Sequence, residues 1–280
     1  MILSFHPCYS GDRYINPGGR ALTEADIAAI DSSTLVILPQ ACREDLYQAV
    51  RDHGPAAFPD LRTRFEYPGK TGQVRLFRET GTPHPESFLY PDTAAFYRQP
   101  PDPVAAGRLS FPLVFKFNGS DEGRGVFRVN DRAELERLLN RAARFEATGQ
   151  RGFLLQEYIE TGGWVLRVCV IYTTVVAYWK KRSDPETFAV NLADGADIDR
   201  TAHPELRQRG IAAVRRFCRQ TGINLAGFDL LFAGMRPASP ALLLEINYYF
   251  GRRGLGGSEQ YYRLITREIE KWVNDHRVRP

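Results

Sequence analysis

Two groups of residues in this chain have types and spacings that could do chemistry. The first is Lys116 with the glycines that follow it. Phe111 to Lys116 is a run of strand-forming residues that ends in a cation, Gly119, Gly123 and Gly125 follow, and an apolar run resumes at Val126. This predicts strand, glycine-rich turn, strand. Glycines let the backbone approach a bulky anion and present N–H donors to it, and the lysine adds a point charge, which suits a polyphosphate. A plain hairpin with a long glycine loop and a surface lysine fits the same residues. No helix pattern starts at the last glycine, which excludes a Walker loop and a dinucleotide fingerprint. Gly69-Lys70-Thr71 is half a phosphate loop, but Arg64 stands where the required first glycine would be.

The second group is three oxygen-bearing side chains on two late apolar runs. Glu245 sits in Ala241-Leu-Leu-Leu-Glu245-Ile-Asn247, and Asp229 sits in Gly227-Phe-Asp229-Leu-Leu-Phe. A carboxylate buried without a partner is strongly disfavoured, so each needs a cation or strong donors. Strand periodicity puts Glu245 and Asn247 on one face. If the two strands pair, Asp229, Glu245 and Asn247 converge, and hard oxygen ligands of this kind suit Mg²⁺ or Mn²⁺ shared with phosphate oxygens. The alternative is that each acid pairs with an arginine or lysine.

The elements that must position these groups follow from pattern and caps. Residues 1–60 alternate strand and helix: Ile2-Leu-Ser-Phe5, a helix opening at Thr23-Glu-Ala-Asp26, the strand Thr34 to Pro39, and a helix Glu44 to His53 closed by Gly54. Such alternation implies a parallel sheet with helices packed on it. Further on, helical spacing covers Gln73 to Thr80, and Asp131 caps a helix in which Leu135, Leu138, Leu139, Ala142 and Ala143 form one apolar stripe. Phe153 to Ile159 reads as a strand, and Trp164 to Tyr172 with Thr174 to Trp179 as a hairpin. The final third holds a helix Glu205 to Thr221, the strands Ala226 to Ala233 and Ala241 to Asn247, and a helix Glu259 to Asp275 using Tyr262, Ile265, Ile269 and Trp272.

Composition excludes several classes. The 280 residues are 43% hydrophobic and 25% charged with a net charge of +4, ordinary globular proportions. No apolar run is long enough for a bilayer, and the N-terminus lacks a signal-peptide pattern, so a cytoplasmic protein without membrane partners is expected. The basic residues are dispersed, and nucleic acid binding has no support. Cys8, Cys42, Cys169 and Cys218 lack metal-site or disulfide spacing.

Taken in order, these motifs resemble the ATP-grasp superfamily, in its RimK-like and glutathione-synthetase-like ligase branch. The marks are Lys116, Gly123 and Gly125; Gln156-Glu157-Tyr158-Ile159; Arg167; Lys180-Lys181-Arg182 with Phe188 and Asn191; and Gly227-Phe228-Asp229 followed by Glu245-Ile246-Asn247. Upstream, Lys70 precedes Gly81-Thr-Pro-His-Pro85 in register with the family's first ATP-contacting lysine. The resemblance spans roughly residues 60–275. It implies an α/β ATP-grasp fold of α+β subdomains behind a small Rossmann-like N-terminal domain. The boundaries would be 1–95 and 96–280, with a lid at about 105–160 and a metal-binding subdomain at about 161–280.

The resemblance also implies roles. Lys70, Lys116, Gly119, Ser120, Gly123, Gly125 and Asn191 would contact the triphosphate of ATP. Gln156, Glu157, Tyr158 and Ile159 would meet the adenine, chiefly through backbone N–H and C=O groups. Asp229, Glu245 and Asn247 would hold Mg²⁺ or Mn²⁺, and Arg167 with the cluster Lys180 to Arg182 would neutralise the transferring phosphoryl group, Arg167, Lys181 and Arg182 being the catalytic residues. The implied activity is an ATP- and Mg²⁺-dependent carboxylate–amine or carboxylate–thiol ligase acting through an acylphosphate on small-molecule or peptide substrates. The alternatives are a small-molecule kinase on the same fold and a nucleotide-binding protein with reduced catalysis, and a homodimer is compatible with each. The chain departs from the family at Val165, Ala189 and Tyr248-Tyr249-Phe250-Gly251-Arg252-Arg253. The last stretch is either an altered acceptor pocket, in which Arg252 and Arg253 recognise an anionic acceptor, or a structural plug followed by a surface pair.

Overall fold

The computed structural model describes residues 1–98, 102–119, 125–183 and 196–277. The chain opens with β1 (Ile2–Ser4), β2 (Arg13–Tyr14), α1 (Glu24–Asp31), β3 (Leu35–Ile37), α2 (Glu44–His53) and β4 (Ala56–Phe58). The four strands form a parallel sheet in the order β2-β1-β3-β4. The expected reciprocal cap is present on α1: the Thr23 side chain accepts from the Asp26 N–H, and the Asp26 carboxylate accepts from the Thr23 N–H. Gly54 ends α2 in the left-handed conformation, where the missing Cβ removes the usual penalty.

Two helices then lead out of this unit, α3 (Arg62–Glu66) and α4 (Gly69–Glu79). The second sheet contains β5 (Ser87–Tyr90), α5 (Thr93–Arg98), β6 (Leu113–Phe117), β7 (Val126–Val129), α6 (Arg132–Glu146) and β8 (Phe153–Glu157). Its antiparallel order is β5-β8-β6-β7. Phe115, Phe117, Leu135, Leu139 and Phe153 fill the space between sheet and α6. Because β5 already belongs to this sheet, the expected boundary between residues 95 and 96 falls inside it.

The third sheet comprises β9 (Trp164–Ile171), β10 (Thr174–Lys181), β11 (Asp197–Asp199), α7 (Pro204–Thr221), β12 (Leu225–Leu231), β13 (Leu242–Asn247) and α8 (Ser258–His276). Its strands run antiparallel in the order β11-β10-β9-β12-β13. One face is covered by α7 and by Leu76 and Phe77 of α4. The other packs on α8 and on Ile2, Leu35, Ile37 and Phe58 of the first sheet. A continuous core therefore joins the N-terminal unit to the large sheet, and the apolar area it removes from water holds their relative position. On α8 the buried tyrosine is Tyr261, whereas Tyr262, expected inward, is 37% exposed.

Side-chain ties fix α3 and α4 between the sheets. The Gln73 amide makes both available bonds to the Ile246 backbone of β13, donating to its carbonyl and accepting from its N–H, each at 2.9 Å. Arg62 donates to the Thr221 carbonyl at 2.8 Å, and Thr63 and Tyr248 hydroxyls meet at 2.8 Å. All four cysteines are free, and no described helix is long and apolar enough to cross a membrane.

Candidate functional site

The sheets of β6–β8 and β9–β13 face each other across a slot. Its walls include Lys70, Lys116, Gln156 to Ile159, Val165, Lys180, Arg182, Asp229 and Glu245. Residues expected at the nucleotide end, at the hinge and at the metal thus meet in one place, although some lie more than 170 positions apart in sequence.

Register explains the arrangement. Asp229 on β12 is directly opposite Arg167 on β9 and Glu245 on β13, and Gly227 is opposite Asn247. Arg167 binds Asp229 bidentately, Nε to Oδ1 at 2.7 Å and Nη2 to Oδ2 at 2.8 Å, and Lys180 Nζ donates to Oδ2 at 3.0 Å. All three residues are buried. Burial opposes the charge on each. For Asp229, Arg167 and Lys180 outweigh that and hold its carboxyl far below the usual carboxylate range. For Arg167, attraction to Asp229 likewise prevails and raises its pKa. For Lys180, burial prevails in part, and its pKa is lowered.

Asp229, expected as a metal ligand, is therefore the counter-ion of two buried cations. A divalent ion at its oxygens would be repelled by Arg167 and Lys180. Arg167, expected to act on the phosphoryl group, is instead committed to that carboxylate. Glu245 and Asn247 remain suited to a metal. The Glu245 side chain is 34% exposed with a loose contact to Lys70 Nζ at 3.9 Å, and it shares a strand face with Asn247. One carboxylate plus one amide oxygen, completed by phosphate and water, is a common Mg²⁺ arrangement. Among the described residues there is no group of three or more His, Cys, Asp or Glu placed to hold a metal ion.

The basic cluster also differs from expectation in detail. Alternation along β10 sends Lys180 into the slot, 4% exposed, and Lys181 to the opposite face, where its ammonium lies 5.0 Å from the Trp164 ring centre. Lys180 is thus the slot residue, and Lys181, expected to be catalytic, does not line it. Arg182 does. The Lys116 side chain is buried at the end of β6, and burial pushes its pKa down to about 8; Glu245 and Asp229 partly counter this, and Lys70 adds to it.

At the hinge, the Gln156 amide donates to Ser87 Oγ at 2.8 Å, and the Glu157 N–H donates to the Glu86 carbonyl at 2.8 Å. The Glu157 N–H, expected to face adenine, is therefore already engaged. Ser120, Gly123 and Asn191 lie outside the described residues. Gly119 and Gly125 are described, and Gly125 passes its carbonyl to the Phe117 N–H at 2.9 Å.

Gly69-Lys70-Thr71 does open a helix, α4, but Asn118 occupies its end. Asn118 Oδ1 accepts from the Thr71 N–H and hydroxyl, both at 2.9 Å. Gly69 has φ +69°, and a Cβ there would lie 2.5 Å from Asn118 Oδ1, so glycine is required. Asn118 thereby fixes Lys70 beside Lys116, a link that no local pattern announces.

A larger cavity adjoins the slot and shares Lys70, Lys180 and Glu245 with it. Its other walls include Arg64, Phe65, Tyr67, Tyr178 and the Tyr248 to Gly251 stretch. The aromatic departure noted in the sequence therefore lines a space next to the slot. Arg252 does not join it: its guanidinium stacks 4.4 Å from the Tyr262 ring centre and donates to the Tyr262 hydroxyl.

Comparisons with known proteins agree with this architecture. A family model described as the RimK-like ATP-grasp domain matches residues 93–264. A RimK-domain ATP-grasp protein from Sphaerobacter thermophilus DSM 20745 aligns with TM-score 0.62 at 17% identity, over 91% of this chain and 88% of that one. VanG D-Ala:D-Ser ligase from Enterococcus faecalis aligns with TM-score 0.61 at 16% identity, over 87% and 73%. The ATP-grasp ligase PsnB, solved with a precursor peptide and AMPPNP, aligns with TM-score 0.54 at 18% identity, over 85% and 76%. At such identities the structural likeness shows the fold. No curated protein matches the chain in sequence.

Proposed function

The chain belongs to the RimK-like ATP-grasp family, and from that premise we propose an ATP- and Mg²⁺-dependent ligase that joins a carboxylate to an amine or thiol through an acylphosphate. The observation that carries this reading is the charge of the slot. Lys70, Lys116, Lys180 and Arg182 line it against Asp229 and Glu245, with Arg167 behind Asp229. Buried cations in excess of carboxylates favour a polyanion, and the neighbouring cavity gives the acceptor a place beside it.

In this reading the backbone at Ile159 meets the adenine edge, and Lys116 and Lys70 neutralise the phosphates. Lys180, at the junction of the two cavities, stabilises negative charge as the phosphoryl group moves to the carboxylate. Arg167 and Asp229 act as positioning residues that hold Lys180 in place. Glu245 and Asn247 would hold Mg²⁺, which when bound supplies charge neutralisation on phosphate oxygens. A nucleotide and a carboxylate held in adjoining cavities gain from proximity, the larger part of what a positioning enzyme provides.

The test is equilibrium binding of Mg²⁺-ATP, followed by phosphate release with varied acids and amines. Release that depends on both partners supports a ligase, whereas a stable phosphorylated product without amine supports a kinase. Absence of Mg²⁺-ATP binding would overturn both.

A further inference from the structure

Resting on the reading of the smaller slot as the nucleotide site, we infer that the larger cavity takes an acid with a flat, ring-bearing body and that Arg64 anchors its anionic group. Much of the cavity wall is aromatic, with Phe65, Tyr67, Tyr248, Tyr249 and Phe250 all contributing. Tyr249 is 65% exposed, a large aromatic left open to whatever enters. Tyr248 is held by its hydroxyl contact with Thr63, so this wall is fixed to α3, the helix that carries Arg64. Rigid aromatic faces favour a flat apolar group over a flexible polar one.

Arg64 differs from the other cations of the cavity. Arg167 and Lys180 are committed to Asp229, and Lys70 lies 3.9 Å from Glu245. Among the described residues no Asp or Glu forms an ion pair with Arg64, which is half-buried. Its guanidinium lies 5.0 Å from the Phe65 ring centre, and Nη1 donates to the Gln40 carbonyl at 3.2 Å. Stacking and one backbone bond fix the plane of the group and leave further N–H donors for a ligand, the geometry with which arginine grips carboxylate or phosphate. Arg64 comes from the N-terminal side of the cavity, and it does not line the nucleotide slot.

The probes are benzoate, phenyl phosphate and the uncharged isostere benzamide, titrated by ligand-observed NMR with and without saturating AMPPNP. Wild type is expected to bind benzoate or phenyl phosphate at least tenfold more tightly than benzamide with AMPPNP in place. Arg64→Ala should weaken the anions by about 10- to 100-fold, the range of a hydrogen-bonded charge contact, and leave benzamide unchanged. Arg64→Lys should recover part of the loss, which a purely structural role would not predict. Preference between the two anions tells carboxylate from phosphate, and either supports the anchor. The inference falls if wild type binds none of the anions, if benzamide binds equally well, or if Arg64→Ala and Arg64→Lys both bind benzoate as wild type does. Failure of AMPPNP to bind would strike the function proposed above instead, because the anion arms without nucleotide are read independently.

Discussion

Replacing Lys116 with methionine should make the ligand-free protein more stable while impairing nucleotide binding. The lysine is 7% exposed and its pKa is lowered from 10.5 to about 8 by burial. That depression means the charged form is disfavoured in the folded state at neutral pH by about 3 kcal/mol, at about 1.4 kcal/mol per pKa unit. Because the folded state gives up this proton near pH 8 and the unfolded chain only near 10.5, the penalty is full below pH 8 and fades as pH rises towards 10.5. Methionine fills a similar volume without charge, so Lys116→Met should gain about 3 kcal/mol at pH 7 and about 1 kcal/mol at pH 9.5. At this chain length the neutral-pH gain corresponds to roughly 5 °C or more in thermal midpoint. The same variant should bind Mg²⁺-ATP about 10- to 100-fold more weakly, from the loss of one charge-assisted phosphate contact. Paired melting curves at the two pH values, with and without nucleotide, measure all three effects. A variant that is less stable than wild type at pH 7, or whose advantage does not shrink by pH 9.5, would refute the reasoning from buried charge.

Four further outcomes follow from the site. Asp229→Asn leaves Arg167 and Lys180 buried without their counter-charge and should cost about 3–5 kcal/mol in chemical denaturation. In wild type the depressed Asp229 pKa implies that this contribution is intact above about pH 4 and is lost as pH falls further into the acid range, which an acid titration by circular dichroism would follow. Lys181→Ala should leave activity within about threefold of wild type, because exposed cation–π contacts contribute only about 0.5–1 kcal/mol, whereas Lys180→Ala should abolish most turnover. Glu245→Gln should fold normally, since the carboxylate is partly exposed, but should need at least about tenfold more Mg²⁺ for half-maximal turnover.

How much of this could be read from the chain depended on whether the signal was local. The ends of α2, α6 and α7 follow from Gly54, Asp131 and Gly222, because caps act on adjacent backbone groups. The β9–β10 hairpin and the β12–β13 pairing follow from apolar runs. By contrast α3, β4, β5 and β11 span three to five residues each and have no period to detect. Arg64, inside the five residues of α3, therefore carries no periodic signal that points to a cavity. The residues of β10 before its basic end show little polar alternation, so the pattern does not tell which of Lys180 and Lys181 enters the slot. The two tyrosines Tyr261 and Tyr262 posed the same difficulty on a helix, where neighbours differ by about 100° in facing.

Lys180 and Lys116, two of the three buried lysines, show why an acid in an apolar run cannot be assigned to a metal from its position alone. Lys180 has a carboxylate in direct contact; Lys116 has Glu245 and Asp229 only as more distant charges. Asp229 is thus spent on making two cations, Arg167 on β9 and Lys180 on β10, tolerable inside the sheet, while Glu245 stays partly exposed on the sheet's last strand. The slot accordingly has a preset half, Arg167–Asp229–Lys180, and a responsive half, Lys116 with Lys70 and Glu245. In the first, an arriving polyanion meets two cations that already share one carboxylate, so less of their charge is left to neutralise. In the second it relieves a burial penalty, so binding free energy should concentrate at Lys116 even though Lys180 is as deeply buried. Gly227 belongs to the preset half for the same reason. A Cβ there would lie 3.0 Å from Arg167 Nη1 and 3.1 Å from Phe250 Cβ, wedging the guanidinium off Asp229 and loosening Lys180 with it.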